Sequence, residues 1–216
     1  MDIDLGICRE YNIVKYLTSM RGVETMLLEA IIQKDIYVEP KRYELQPLVA
    51  EYLKYIDASP FYVAPSFNAV KTDSRLSTLN PKFLLFSAPG AVGKSALAKY
   101  ISYKYSALYW DLAKIKLGTN SFAGSILSAV TAPSYSSFIS DLNSGNVLLA
   151  IDALDEAEVV SGRKMIGNFI LDISNSLANY SGANIMFFAR TETAQFIATF
   201  CAENEIPLAH YEIGFF

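Results

Sequence analysis

Cysteine is scarce in this chain. Its only two, Cys8 and Cys201, lie far apart and form no Cys-x-x-Cys pair. They supply no disulfide framework, and buried thiols in a reducing cytosol are the expectation, which puts the protein in the cytoplasm. No block of Lys and Arg stands out and the net charge is −4, so no electrostatic footprint for nucleic acid is present. No run of 18 uncharged apolar residues occurs, which argues against a spanning helix and a membrane partner. Asp2, Asp4, Arg9 and Glu10 break up the first ten residues, unlike a signal peptide. Internal repeats and low-complexity tracts are missing too. Histidine occurs once, as His210, and is read as structural.

What is present is a globular composition, 52% hydrophobic and 19% charged over 216 residues. That length suits one large domain, or one domain with an extension, burying roughly 70% of its unfolded surface without a staple. Two regions differ in character. Residues 1–81 read as a mostly helical N-terminal segment with irregular connections. Met26, Leu27, Ala30 and Ile31 share one helical face, and Leu48, Val49, Tyr52 and Leu53 form a second stripe. Pro40, Pro47, Pro60 and Pro65 interrupt the pattern, and Phe67 to Pro81 reads as an approach loop.

Residues 82–216 alternate strand and helix. Candidate strands are Phe83–Ser87, Ala107–Trp110, Val147–Ile151, Ile185–Ala189 and Ala209–Ile213. The runs around Leu149 and Phe187 are continuously apolar, as strands covered on both faces require. Ile166, Phe169, Ile170, Ile173 and Leu177 trace a helix with Gly182 as its stop signal. The expected fold is α/β: three layers around a mainly parallel five-stranded sheet.

Ala88-Pro89-Gly90-Ala91-Val92-Gly93-Lys94-Ser95 follows the first of these strands directly. Strand, glycine-containing turn and helix together make a phosphate-binding loop: backbone N–H groups and a helix N-terminus point at the anion. Gly90 and Gly93 let the backbone curl, Lys94 reaches the β- and γ-phosphates, and the Ser95 hydroxyl ligates Mg²⁺. Ala96 continues the binding segment into the helix. Ala88 stands where the usual pattern has its first glycine, and Pro89 biases it toward the extended conformation of a residue leaving a strand. Fifty-odd residues on, an apolar strand ends in Asp152, the carboxylate that holds Mg²⁺ opposite Ser95 in such folds. ATP or ADP with Mg²⁺ is the expected ligand.

The residues around Asp152 narrow the reading. Asp152-Ala153-Leu154-Asp155-Glu156 resembles the NACHT group of STAND-class NTPases: apolar strand, Asp, a tiny residue, an apolar residue, two acids. Ile185 to Thr191 continues the resemblance, with an apolar strand ending in Arg190. The resemblance spans about residues 83–213. It implies that Arg190 senses the γ-phosphate from a strand between the one that leads into the phosphate-binding loop and the Asp152 strand. It implies further that Asp155 or Glu156 orients or deprotonates the attacking water; the sequence does not choose between them. Ile36 to Pro40 resembles an upstream segment bordering the adenine, though a plain loop reads as well. Trp110 and the tyrosines Tyr100, Tyr103, Tyr105 and Tyr109 read as core aromatics rather than a base-stacking platform.

In that family the chain continues into a helical subdomain, a winged helix and a sensor. Phe216 follows closely on the fifth candidate strand, so the expectation is an ATPase core whose switch parts lie downstream or in a protein partner, with oligomerisation open. Two other classes compete with a slow signalling ATPase. A small-molecule P-loop kinase gathers several arginines around the phosphates, but only Arg163 and Arg190 follow the loop here. A non-hydrolysing module that keeps nucleotide as filler sits poorly with the Asp155–Glu156 pair.

Overall fold

The computed structural model describes residues 25–35, 41–45, 50–53, 65–70, 81–177 and 184–214. The most apolar segments form the middle of the sheet, because a strand covered on both faces must be apolar throughout. These are β4 (Phe83–Ala88), β5 (Leu108–Asp111), β6 (Leu149–Asp152), β7 (Ile185–Arg190) and β8 (Leu208–Ile213). Each starts or ends within two residues of its expected bounds. Between them lie α2 (Lys94–Lys104), a 3₁₀ turn (Leu112–Lys114), α3 (Ser121–Val130), α4 (Ala132–Asn143), α5 (Leu154–Ser161), α6 (Arg163–Ser176) and α7 (Thr191–Glu203). Ahead of them come β1 (Thr25–Met26), α1 (Leu28–Asp35), β2 (Ala50–Tyr52) and β3 (Phe67–Val70).

The fold is α/β with a mixed sheet in the order β1-β3-β8-β4-β7-β6-β5-β2. The pairs β8–β4, β4–β7, β7–β6 and β6–β5 are parallel. The pairs β1–β3, β3–β8 and β2–β5 are antiparallel. Alternate side chains of the central strands go to opposite faces. Phe83, Leu85, Leu149, Ile151, Ile185 and Phe187 pack with residues of α3 to α7, among them Phe122, Phe138, Phe169 and Ile197. Leu84, Phe86, Leu148, Ala150, Met186 and Phe188 pack instead under α1 and α2, against Leu28, Ile31, Leu97 and Ile101. Aromatic pairs tie neighbouring strands: Phe83 meets Phe187 edge-on at 5.2 Å, and Phe86 stacks on Phe188 at 5.2 Å. Among the described residues no helix is long and apolar enough to cross a membrane.

Two expectations are corrected here. The sheet is larger than five strands, and the described part of the first 81 residues holds three strands and one helix rather than being mostly helical. The helical stripe expected at Leu48 to Leu53 is a strand over Ala50–Tyr52, and the loop expected from Phe67 begins as β3. The cause is the open sheet edge. β5 and β8 each present a row of N–H and C=O groups, and pairing them outweighs local periodicity. β3 also buries Phe67 completely, edge-on to Phe86 at 5.4 Å. The segment 41–45 is tied down as well: Lys41 and Tyr43 both donate to the Asp141 carboxylate on α4. Strands from either side of the expected boundary at residue 81 thus share one sheet. Ile36 to Pro40, Gly182 and Cys8 lie outside the described residues, while Cys201 is a buried free thiol.

If β3 is integral to the sheet, Phe67→Ala removes a fully buried ring and destabilises the fold by about 3–5 kcal/mol. Urea unfolding measures this. A change within about 0.5 kcal/mol, the range of an ordinary surface substitution, would show that β3 contributes nothing to the core.

Candidate functional site

Parallel strands put their C-terminal ends on one edge, and loops leaving that edge carry function in open α/β sheets. β4 ends there at Ala88, buried, and the chain turns through Pro89 to Gly93 into α2. Ala91 and Gly93 both take positive φ, 62° and 84°. Gly93 adopts this region freely, whereas Ala91 is strained in it, and strain of that kind is retained where the loop shape itself is needed. A Cβ at Gly90 or Gly93 would meet no heavy atom within 4 Å, so the space around both is open. The first turn of α2 has no side-chain cap and no acidic residue. Neither a cap nor a first-turn carboxylate of its own therefore compensates its leading N–H groups and the positive end of its dipole.

The Lys94 ammonium folds back over this loop, donating to the carbonyls of Ala88 at 3.3 Å and Pro89 at 3.1 Å. Ser95 is exposed in the first turn of α2, with Val92 and Ala96 half-buried beside it.

Asp152 closes β6, which lies under α2, and is only 3% exposed. One carboxylate oxygen accepts from the Tyr109 hydroxyl at 3.0 Å and the other from the Ala153 N–H at 2.8 Å. Ala153 has φ 63°, a left-handed kink that turns the chain from strand to helix and favours a small side chain. The kink puts Asp155 and Glu156 in the first turn of α5, where the helix dipole stabilises negative charge.

Arg190 ends β7, which runs between β4 and β6 as the resemblance implied, and it is in register with Ala88. Its Nε donates to Asp155 Oδ2 at 2.6 Å; the Arg190 side chain is 53% exposed and that of Asp155 12%. Asp155 is therefore engaged with a guanidinium, while Glu156 is exposed. Partial burial first, then the charges of Asp155 and Asp152, push the Glu156 carboxyl above the ordinary range, against its own backbone N–H and Arg190. A carboxyl raised in this way is better suited to taking a proton.

The loop Ala88–Ala96, Arg190 and the Asp152–Glu156 turn thus occupy the ends of three adjacent strands. Among the described residues no group of three or more His, Cys, Asp or Glu forms a metal cage. Mg²⁺ does not require one, since it is usually held by one or two carboxylates together with water and phosphate oxygens. A buried Asp152 carboxylate with no basic partner among the described residues fits that donor set, with the exposed Ser95 hydroxyl on the helix that packs against β6.

Sequence reasoning missed Tyr109 as a partner of Asp152. Burial and the Asp152 charge push its hydroxyl pKa upward, so it stays a donor. Nothing in the tyrosine run singles it out until β5 and β6 are in register. Arg163 is drawn away from the site, paired with Glu158 and lying over the Phe196 ring. His210 hydrogen-bonds Ser87 at 2.7 Å, one residue before the loop begins. In comparisons with known proteins, no family model matches the chain and no curated sequence is significantly similar to it.

His210 gives this neighbourhood a pH dependence. Burial lowers its pKa to about 4 from an ordinary 6.5. The unfolded chain takes up the proton first, so stability is complete above about pH 6.5 and falls as pH drops toward 4. At pH 4.5 the loss from this group is about 2–3 kcal/mol. Urea unfolding of wild type and His210→Gln at pH 7 and 4.5 checks it. The variant should lose less by about that amount, and equal losses would contradict the assignment.

Proposed function

We propose that this chain is a Mg²⁺-dependent, ATP-binding P-loop NTPase of low intrinsic turnover. We further read it as the nucleotide-switch core of a STAND/NACHT-type cytoplasmic signalling protein, acting with a protein partner or further domains. One observation carries the reading. The glycine-containing loop, Arg190 and the Asp152–Glu156 turn come from three neighbouring parallel strands, although they lie up to a hundred residues apart in sequence. Chance motifs have no reason to converge on one sheet edge.

The N–H groups of Gly90 to Ser95 bind the phosphates, and Lys94 exchanges its two carbonyl contacts for phosphate oxygens, a stronger charge-assisted interaction. Arg190 leaves or shares Asp155 to meet the γ-phosphate as charge builds there. Asp155 keeps the guanidinium aimed while the site is empty of triphosphate. Glu156, exposed and raised in pKa, orients the attacking water and takes its proton. Ser95 and Asp152 would hold Mg²⁺, which would supply neutralisation of phosphate charge. The kinase alternative loses support because Arg163 is committed to Glu158 and Phe196, leaving Arg190 as the one arginine at the site among the described residues.

Lys94→Ala should weaken ATP binding about tenfold or more, the loss of a charge-assisted contact of about 1.5–3 kcal/mol. Calorimetry on both proteins measures it, and equal affinities would sink the assignment. Glu156→Gln should bind ATP normally yet fail to hydrolyse it in a single-turnover assay. Unchanged hydrolysis there would move the base elsewhere. Wild-type turnover near the enzyme median of about ten per second would replace the switch reading with a metabolic one.

A further inference from the structure

Asp152 is a buried carboxylate with two neutral donors and, among the described residues, no basic side chain in ion-pair range. Burying an anion without a counter-charge is costly, so its orientation and its surroundings must both be set by other groups. The Ala153 N–H is fixed by the left-handed kink and holds one oxygen. The second is held across the sheet. Tyr109 on β5 is in register with Ala150 on β6, and Asp111 with Asp152, so Tyr109 reaches Asp152 diagonally along the same face. Only a long side chain ending in a donor spans that separation. The Tyr109 ring is 6% exposed, and the Lys99 ammonium lies 5.8 Å from its centroid on the α2 side.

We propose that Tyr109 is the positioning residue for the metal end of this site. Its hydroxyl locks the Asp152 carboxylate in the one orientation offered to Mg²⁺, and Lys99 steadies the ring. The inference rests on the Mg²⁺–ATP reading above and adds a residue that the phosphate-binding motifs do not contain. Partners that orient a metal-holding carboxylate act on metal affinity rather than on nucleotide contacts, which gives the role a signature of its own.

The test is a Mg²⁺ titration of ATP binding by the full chain, paired with ATP binding in excess chelator. In Tyr109→Phe the ring stays and only the hydroxyl goes. The half-saturating Mg²⁺ concentration should rise about tenfold, while metal-free ATP affinity stays at the wild-type value. Lys99→Ala, an exposed substitution that leaves the core intact, should shift the same midpoint about twofold and serves if Tyr109→Phe does not fold. An unchanged Mg²⁺ midpoint overturns the proposal. So does an equal loss of affinity with and without metal, because that marks a purely structural tyrosine. Wild type binding ATP with no Mg²⁺ dependence would instead overturn the parent reading and carry this inference with it.

Discussion

Strand β7 is hydrogen-bonded on both sides, to β4 and to β6, and every residue from Ile185 to Ala189 is buried. Its register sets where everything else falls. Ala88 is opposite Arg190 on one flank, and Ile151 is opposite Phe187 on the other. A parallel register is held by side chains on both faces at once, here Phe187 against Phe83 and Phe188 against Phe86. A slip by one residue would exchange the two faces and send every ring to the wrong layer. Arg190 therefore ends its strand between the loop after β4 and the acidic turn after β6, because apolar packing beneath it permits no other alignment.

Above that rigid edge, the charged groups are held by exchangeable partners. Lys94 rests on two carbonyls of its own loop, and Arg190, half-exposed, pairs with Asp155. The Lys94 contacts are to neutral carbonyls, weaker than a charge-assisted bond, and the Arg190 side chain is half-exposed, so both cations can change partners without disturbing the sheet. Asp152 differs, being buried and fixed from two directions. Under the function proposed above, this division between a fixed carboxylate and movable cations would let Asp152 stay constant while Lys94 and Arg190 respond to the number of phosphates. The strained Ala91 and Ala153 backbones sit at the two turns that create this arrangement.

The central strands were legible in the sequence because burial on both faces demands uninterrupted apolar runs, and the loop and acidic turn because their chemistry fixes residue types at short spacing. The edge strands were not legible. Ala50–Tyr52 and Phe67–Val70 are short, and their apolar spacing mimics a helix or a loop; their state is decided by the unpaired edges of β5 and β8, which are distant in sequence. The same limit hid two contacts inside the site. The Arg190–Asp155 pair depends on the β6–β7 register and the direction of α5, and the Tyr109–Asp152 bond on the β5–β6 register. The motifs supplied Asp152, Asp155 and Arg190 but not Tyr109, and tertiary structure joined them.

The central claim is that the backbone N–H groups between β4 and α2 hold the phosphates. Amide hydrogen exchange with and without Mg²⁺ and ATP reads those groups one by one. The account expects exchange at Gly90, Ala91, Val92, Gly93, Lys94 and Ser95 to slow markedly when both are added, with little change along β1, β2 and β3. Unaltered exchange through this loop at saturating Mg²⁺ and ATP would contradict it.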